Sequence, residues 1–176
     1  MTLANLPRAI AAALLVHLAA PAVLTAQGGT PPVRNNVLSI NPLALVFTGI
    51  SGEYERRRSP STAVALGVSI WSIDDFDYQS VEGKFRFYPN GEALRGFSVA
   101  GTAGYSHIAE DDDLFGESGS AISAGVELNY QWLLGLERNF AITLGAGGKR
   151  LFFLGDEVDD ASAGIPTIRF SIGYAF

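Results

Sequence analysis

The last nine residues of the chain constrain its fold more than any other segment. If they form a strand, successive side chains point to opposite faces. One face then carries large apolar side chains, those of Ile168, Phe170, Ile172, Tyr174 and Phe176. The other face carries Arg169, Ser171, Gly173 and Ala175. A soluble protein buries such an apolar face in a core, whereas a barrel in a bilayer turns it toward lipid and keeps the polar face inside.

Seven earlier segments show the same period of two and are separated by turn residues. The eight predicted strands are Asn36–Val46, Ile50–Arg58, Thr62–Ser72, Tyr78–Tyr88, Gly96–Ile108, Ser118–Trp132, Asn139–Phe153 and Ile165–Phe176. Pro42 interrupts the first of them, so a bulge or bend is expected there. Because lipid cannot satisfy the open edges of a sheet, the pattern predicts an all-β fold, an eight-stranded antiparallel up-and-down transmembrane β-barrel.

Charged residues of both signs recur on one face of several predicted strands. They are Glu53, Glu55, Arg57, Glu82, Lys84, Arg86, Glu127, Lys149 and Arg169. The interior of an eight-stranded barrel is just wide enough for side chains to fill, and buried charges persist only when they are paired. We therefore predict an interior ion-pair network that fills the lumen. The alternative is a soluble sheet or lipocalin-like barrel that carries these charges on its exposed face.

Aromatic residues lie near many of the predicted strand ends. They are Phe47, Trp71, Phe76, Tyr88, Phe97, Tyr130, Trp132, Phe152, Phe153 and Phe176. Aromatic girdles at both membrane interfaces are typical of transmembrane barrels. We therefore expect these side chains to face the interfaces.

Residues 1–26 have the pattern of a secretory signal peptide. Arg8 precedes an apolar run from Ala9 to Ala20, which is too short to be a membrane-spanning helix. Residues 27–35 are rich in Gly and Pro and predict a flexible leader, so the barrel domain is expected to comprise residues 36–176. The chain contains no Cys, so we expect neither disulfides nor a lipid-anchored N-terminus.

The predicted connections between strands divide by charge. Residues 73–77, 109–117 and 155–164 contain many acidic residues and no Lys or Arg, whereas residues 58–61, 89–95 and 136–138 each contain Arg. We assign the acidic loops to the exterior and the opposite turns, with both termini, to the periplasm. For one acidic loop we favour simply solvated charges, with a weak divalent-cation site as the alternative; the candidate ligands of that site are Asp111, Asp112, Asp113 and Glu117. The net charge of −6 argues against nucleic acid as a partner.

The architecture resembles the transmembrane domain of outer-membrane protein A and small barrels such as OmpX. Three stretches, Asn41–Leu43, Gly52–Arg56 and Arg86–Pro89, are more narrowly similar to a family of bacterial outer-membrane barrels of uncharacterised function. Tyr174 and Phe176 resemble the last-strand signature that the barrel-assembly machinery reads. The resemblance implies a monomeric barrel in the outer membrane of a Gram-negative-type envelope, in contact with lipid and lipopolysaccharide, and no cofactor or catalytic residue.

Three functions are consistent with these features. The first is a structural or surface-interaction role in which the barrel is an anchor and the acidic loops form the contact surface. The second is a narrow channel for small solutes. The third is a lipid A-modifying enzyme built around His107, although Ser106 and His107 are adjacent in a strand and so face opposite sides. We predict the first and expect no enzymatic activity.

Overall fold

The computed structural model describes residues 32–46, 48–73, 76–110, 119–154 and 162–176. The elements in chain order are β1 (Asn36–Ile40), α1 (Pro42–Val46), β2 (Gly49–Ser59), β3 (Thr62–Ile73), β4 (Phe76–Phe87), β5 (Gly96–Glu110), β6 (Gly119–Leu134), β7 (Phe140–Leu154) and β8 (Ser162–Ala175). The predicted signal peptide and the first part of the leader, residues 1–31 together, lie outside the described residues.

Each strand pairs antiparallel with the next, and β8 pairs with β1, so the sheet closes on itself. This confirms the predicted closed barrel of eight antiparallel strands. The strand ends lie within three residues of the predicted ones, with one exception. The first strand was predicted to continue to Val46, but β1 ends at Ile40 and residues 42–46 form the short helix α1.

The helix begins where it does because of the two residues that open it. Pro42 has no N–H to donate to a strand ladder, and proline is well suited to the first turn of a helix. The side-chain Oδ1 of Asn41 accepts a hydrogen bond from the backbone N–H of Leu43 at 3.0 Å. This is the contact that an N-cap residue makes. The predicted break at Pro42 was therefore right, but its form was a helix and not a bulge.

Burial alternates along the strands and separates two faces with opposite chemistry. On the outer face, large apolar side chains are about half exposed, as with Leu66 (54%), Phe85 (55%) and Val126 (55%). On the inner face, charged and small polar side chains are buried, as with Glu55 (2%) and Arg86 (1%). The barrel thus has a polar interior and an apolar exterior, the reverse of an ordinary soluble domain.

Glycine on the inner face of β7 allows two strands to approach closely. A Cβ atom at Gly147 would lie 2.1 Å from the carbonyl oxygen of Val126 on β6, which no side chain tolerates. The inner faces of β3 and β5 also carry small side chains. The buried ones are Ala63, Ala65, Ser98 and Ala100. These small residues leave the interior volume to the long charged side chains on the other strands.

The turn between β4 and β5 closes one end of the barrel. Leu94 has no exposed surface and packs with Tyr88, Val37 and other buried residues in an apolar cluster. Its carbonyl oxygen accepts a hydrogen bond from Nε2 of Gln131 at 2.7 Å. Leu94 holds a left-handed backbone conformation, with φ of 74°, which a residue other than glycine adopts only when its surroundings enforce it. The lumen is therefore blocked at the end where the chain termini of the barrel lie.

The closure between β1 and β8 is much shorter than the other pairings. β8 pairs with β7 from Ser162 to Tyr174, but with β1 only from Ile172 to Ala175. Along residues 162–171, no described strand pairs with the opposite edge of β8. The helix α1 contacts both β2 and β8. We call this gap in the strand pairing the seam.

Candidate functional site

The charged cluster in the lumen is assembled from five strands by the alternation of side chains. β2 contributes Glu53 and Glu55, and β4 contributes Glu82, Lys84 and Arg86. β6, β7 and β8 contribute one residue each, Glu127, Lys149 and Arg169. In the strand register, Gly67 of β3 lies between Glu53 and Glu82. Because glycine has no side chain, the long side chains of β2 and β4 meet across it.

Lys84 joins three carboxylates. Its Nζ lies 2.8 Å from Oε1 of Glu127, 3.0 Å from Oε1 of Glu82 and 3.5 Å from Oε2 of Glu53. The Lys84 side chain is only 7% exposed. The contact with Glu127 is a hydrogen bond, and the carboxylates of Glu82 and Glu53 are ion-pair partners of the same ammonium group.

Arg86 is the most deeply buried charge of the cluster. Its guanidinium nitrogens lie 2.7 Å from Oε1 of Glu53 and 2.6 Å from Oε2 of Glu55. The hydroxyl of Tyr88 donates a 2.7 Å hydrogen bond to the other oxygen of Glu55. Tyr88 lies just beyond the end of β4, and burial, with the Glu55 carboxylate beside it, raises the pKa of its hydroxyl well above the usual range. Tyr88 therefore remains a hydrogen-bond donor at neutral pH.

Glu53 is the centre of the cluster. Besides Lys84 and Arg86, it binds Arg169 through both carboxylate oxygens, with Nη2 2.7 Å from Oε1 and Nη1 in contact with Oε2. Such two-pronged pairs of guanidinium and carboxylate are the strongest hydrogen-bonded ion pairs in proteins. A carboxylate with three cationic neighbours stays ionised although its residue is only 7% exposed.

Two of the nine predicted charges have a different environment from the rest. Lys149 lies at the margin of the cluster, with its Nζ 3.7 Å from Oε2 of Glu82 and 3.4 Å from the hydroxyl of Tyr78. Arg57 does not contact the other eight; its Nε donates to the carbonyl oxygen of Ser59 at 3.2 Å. The structure thus brings eight of the predicted residues together and places Arg57 elsewhere.

Two tyrosines belong to the interior and were missed by the sequence interpretation. Tyr88, expected at a membrane interface, is fully buried beside Glu55. Tyr78 shares a 3.1 Å hydrogen bond with Oγ of Ser106 inside the lumen. Both are even-numbered, as are the inward-facing Glu82 and Arg86 of β4. Tyr88 directly follows that strand, so continuing its period of two would have placed both tyrosines correctly.

A cavity of about 210 Å³ lies beside the charged cluster. Its polar lining includes Tyr78, Glu82, Lys149 and Arg169. Trp71, also expected at an interface, faces inward and lines this cavity. The apolar cluster around Leu94 blocks the lumen at its base, so the cavity is a recess and not part of a continuous pore.

His107 has a hydroxyl neighbour, but not the one adjacent in sequence. Ser106 points into the lumen, whereas Nδ1 of His107 lies 3.2 Å from Oγ of Ser120 on β6. The hydroxyl of Tyr105 lies 2.7 Å from the same oxygen. Among the side chains that the structure describes, no carboxylate contacts His107. A nucleophile and a base are therefore adjacent here without the acid that would orient them.

The proposed cation ligands Asp111, Asp112, Asp113 and Glu117 lie outside the described residues. Within the described ranges, no group of three or more His, Cys, Asp or Glu side chains is arranged to hold a metal ion. None of the helices in these ranges is long and apolar enough to cross a membrane.

The strand pairing defines the class of the protein, an all-β closed barrel of eight antiparallel strands. No family model matches the chain. No curated protein matches it either. Two solved structures are similar to it. The N-terminal β-barrel domain of OprF from Pseudomonas aeruginosa is 16% identical, with a TM-score of 0.46 over 81% of this chain and 98% of that one. The outer membrane protein Ail from Yersinia pestis is 18% identical, with a TM-score of 0.46 over 81% of this chain and 99% of that one.

Proposed function

We propose that this protein is an integral outer-membrane barrel with a structural or surface-interaction role. The observation that carries the proposal is the reversal of the two faces, with apolar side chains outside and ion pairs inside. Monomeric soluble proteins rarely expose a continuous apolar surface. A bilayer gives that surface a favourable environment, and closure of the sheet leaves few backbone groups in contact with lipid.

The proposal includes the resemblance to the family of outer-membrane barrels of uncharacterised function. The positions of the three similar stretches in the fold support it. The stretch Gly52–Arg56 supplies Glu53 and Glu55, and Arg86–Pro89 supplies Arg86 and Tyr88, so both stretches build the buried cluster. The stretch Asn41–Leu43 begins α1. The three motifs therefore correspond to structural features that a related barrel would share.

In this proposal the mechanism is passive. The ion-pair cluster and the apolar plug around Leu94 block the lumen, so the barrel acts as an anchor and not as a channel. The acidic loops predicted from the sequence serve as the contact surface, and divalent ions bridge their carboxylates to lipopolysaccharide phosphates. The signal peptide and the C-terminal residues Tyr174 and Phe176 direct export and recognition by the barrel-assembly machinery.

The first test is heat-modifiability in the outer-membrane fraction. A closed transmembrane barrel resists SDS until it is boiled, so boiled and unboiled samples should migrate differently on a gel. Recovery of the protein in the soluble periplasmic fraction, with no shift on boiling, would contradict the proposal.

A substitution on the outer face tests the membrane placement directly. Val126 lies near the middle of β6 and faces outward. We expect Val126→Arg to destabilise the folded barrel by about 2–4 kcal/mol in lipid vesicles, because an arginine near the bilayer midplane is costly. Leu136→Arg is the matched control, since Leu136 is 60% exposed in the turn after β6 and should tolerate the charge. Equal, small effects of both substitutions would indicate a water-exposed outer face.

A further inference from the structure

The seam between β8 and β1 coincides with the positions of two prolines. Pro166 is the only proline inside a described strand, and it lies in the part of β8 that has no partner on the β1 side. On the other side of the seam, the chain leaves β1 and forms α1 from Pro42 onward, so it has no strand there that could pair with β8. Proline within a sheet is tolerated only at edges and bulges. The two prolines therefore keep this part of the barrel wall free of strand pairing.

The cavity in the lumen extends to this seam. Its lining includes Arg169 and Lys149, which face inward, and also Ile40, Ile168 and Phe170, which belong to the outward-facing set of their strands. Ile168 is 86% exposed, the highest value among the exposed large apolar side chains. A single recess thus offers polar groups at its inner end and apolar side chains at its outer end.

We propose that the seam is a lateral binding site for a single-chain amphiphile with an anionic phosphate or carboxylate head. The head occupies the recess beside Lys149, and the acyl chain leaves between α1 and Ile168 toward the surrounding lipid. The recess, about 210 Å³, accommodates a head group but not a whole lipid. This inference rests on the proposed placement of the barrel in a membrane.

Lys149 is the residue that selects a negative charge. The other cations of the cluster lie within 3.0 Å of at least one carboxylate oxygen, whereas the Lys149 ammonium is 3.7 Å from its nearest one. Its described hydrogen bond, to Tyr78, is long at 3.4 Å. An ammonium has three donors, so Lys149 retains capacity for an oxygen of an incoming head group.

The two tryptophans of the chain provide a direct test. Trp71 lines the recess, whereas Trp132 is on the outer face of β6. We would refold Trp132→Phe and Trp71→Phe, each with one tryptophan, in phosphatidylcholine vesicles. The probes are a lysophosphatidylglycerol, a fatty acid and a neutral monoacylglycerol, each brominated near the head end of its chain. We expect saturable quenching of Trp71 by an anionic probe and at least about tenfold weaker binding of the neutral one.

The phosphate and carboxylate probes distinguish the two sources of the anionic head. If Trp132 is quenched by brominated bulk lipid but Trp71 is quenched saturably by no probe, the lateral site is wrong and the membrane placement stands. If bulk lipid fails to quench Trp132, the proposed function itself is wrong.

A pair of substitutions at adjacent positions tests the head-group contact. Lys149 faces the recess, and Arg150 faces outward, where it contacts Ser162 and Phe152. We expect Lys149→Gln to weaken binding of the anionic probe at least about tenfold, the value of a lost hydrogen bond to a charged group. Arg150→Gln should leave it unchanged. An equal loss in both variants would show that general attraction of anions, and not a site in the recess, causes the quenching.

Discussion

Removal of the charge on Glu53 is the perturbation that most directly examines the interior cluster. Glu53→Gln keeps the shape of the side chain and takes away a carboxylate that contacts three cations. Two of these keep other partners, since Arg86 still pairs with Glu55 and Lys84 still pairs with Glu82 and Glu127. Arg169, in contrast, has no other carboxylate partner among the described residues.

The expected loss of stability is therefore that of one uncompensated buried charge. Removal of one partner from a buried ion pair typically costs about 3–5 kcal/mol. The Arg169 side chain is 14% exposed, so we expect a value near the lower end of that range. Glu92 provides a matched control, because Glu92→Gln removes a 2.9 Å pair with Arg95 in which both side chains are about half exposed. Such a pair contributes about 0–1 kcal/mol.

The measurement is urea unfolding of the barrel in phospholipid vesicles, followed by tryptophan fluorescence. The double variant Glu53→Gln with Arg169→Met should recover part of the stability lost in the single variant, because it removes the orphaned charge as well. Similar small losses for Glu53→Gln and Glu92→Gln would refute the reasoning. They would mean that water in the lumen solvates these charges.

Two further predictions concern packing and chemistry. Gly147→Ala should destabilise the barrel by about 1–3 kcal/mol or more, since its Cβ would meet the Val126 carbonyl, whereas Gly101→Ala meets nothing within 4 Å and should be tolerated; comparison of their unfolding midpoints checks this. His107→Ala and Ser120→Ala should leave lipid A acylation unchanged when it is analysed by mass spectrometry, because no described acid orients the pair. Loss of an acyl chain only in the presence of both residues would instead identify an enzyme.

The sequence predicted the barrel because the alternation of apolar and polar side chains is visible within each strand. It can be recognised even where the predicted strand ends are wrong by a few residues. The same periodicity assigned Glu53 and Arg169 to the inner face without knowledge of the register. It failed at residues 42–46, where the choice of a helix depends on the Asn41 cap and on contacts of α1 with β2 and β8. These contacts exist only in the folded chain.

Two other features needed more than periodicity. The pairing of His107 with Ser120 depends on the register between β5 and β6, which the intervening loop does not reveal in the sequence. Tyr88 was assigned to an interface because it ends a strand, yet its parity with Arg86 places it inside. Its position at the strand end indicated a membrane interface, whereas its even number, shared with Arg86, indicated the lumen. The even number was the better guide.

The short pairing between β1 and β8 also has a kinetic consequence. Four register pairs close the ring, whereas thirteen join β7 to β8. Closure brings together segments more than 130 residues apart in the chain, which costs the chain conformational entropy. The few hydrogen bonds between β1 and β8 offset this cost only once the rest of the sheet already holds the two strands close together. We therefore expect β1 to join β8 late in folding, after β2 to β8 have formed a curved sheet. For the same reason, we expect the folded barrel to open first at this joint.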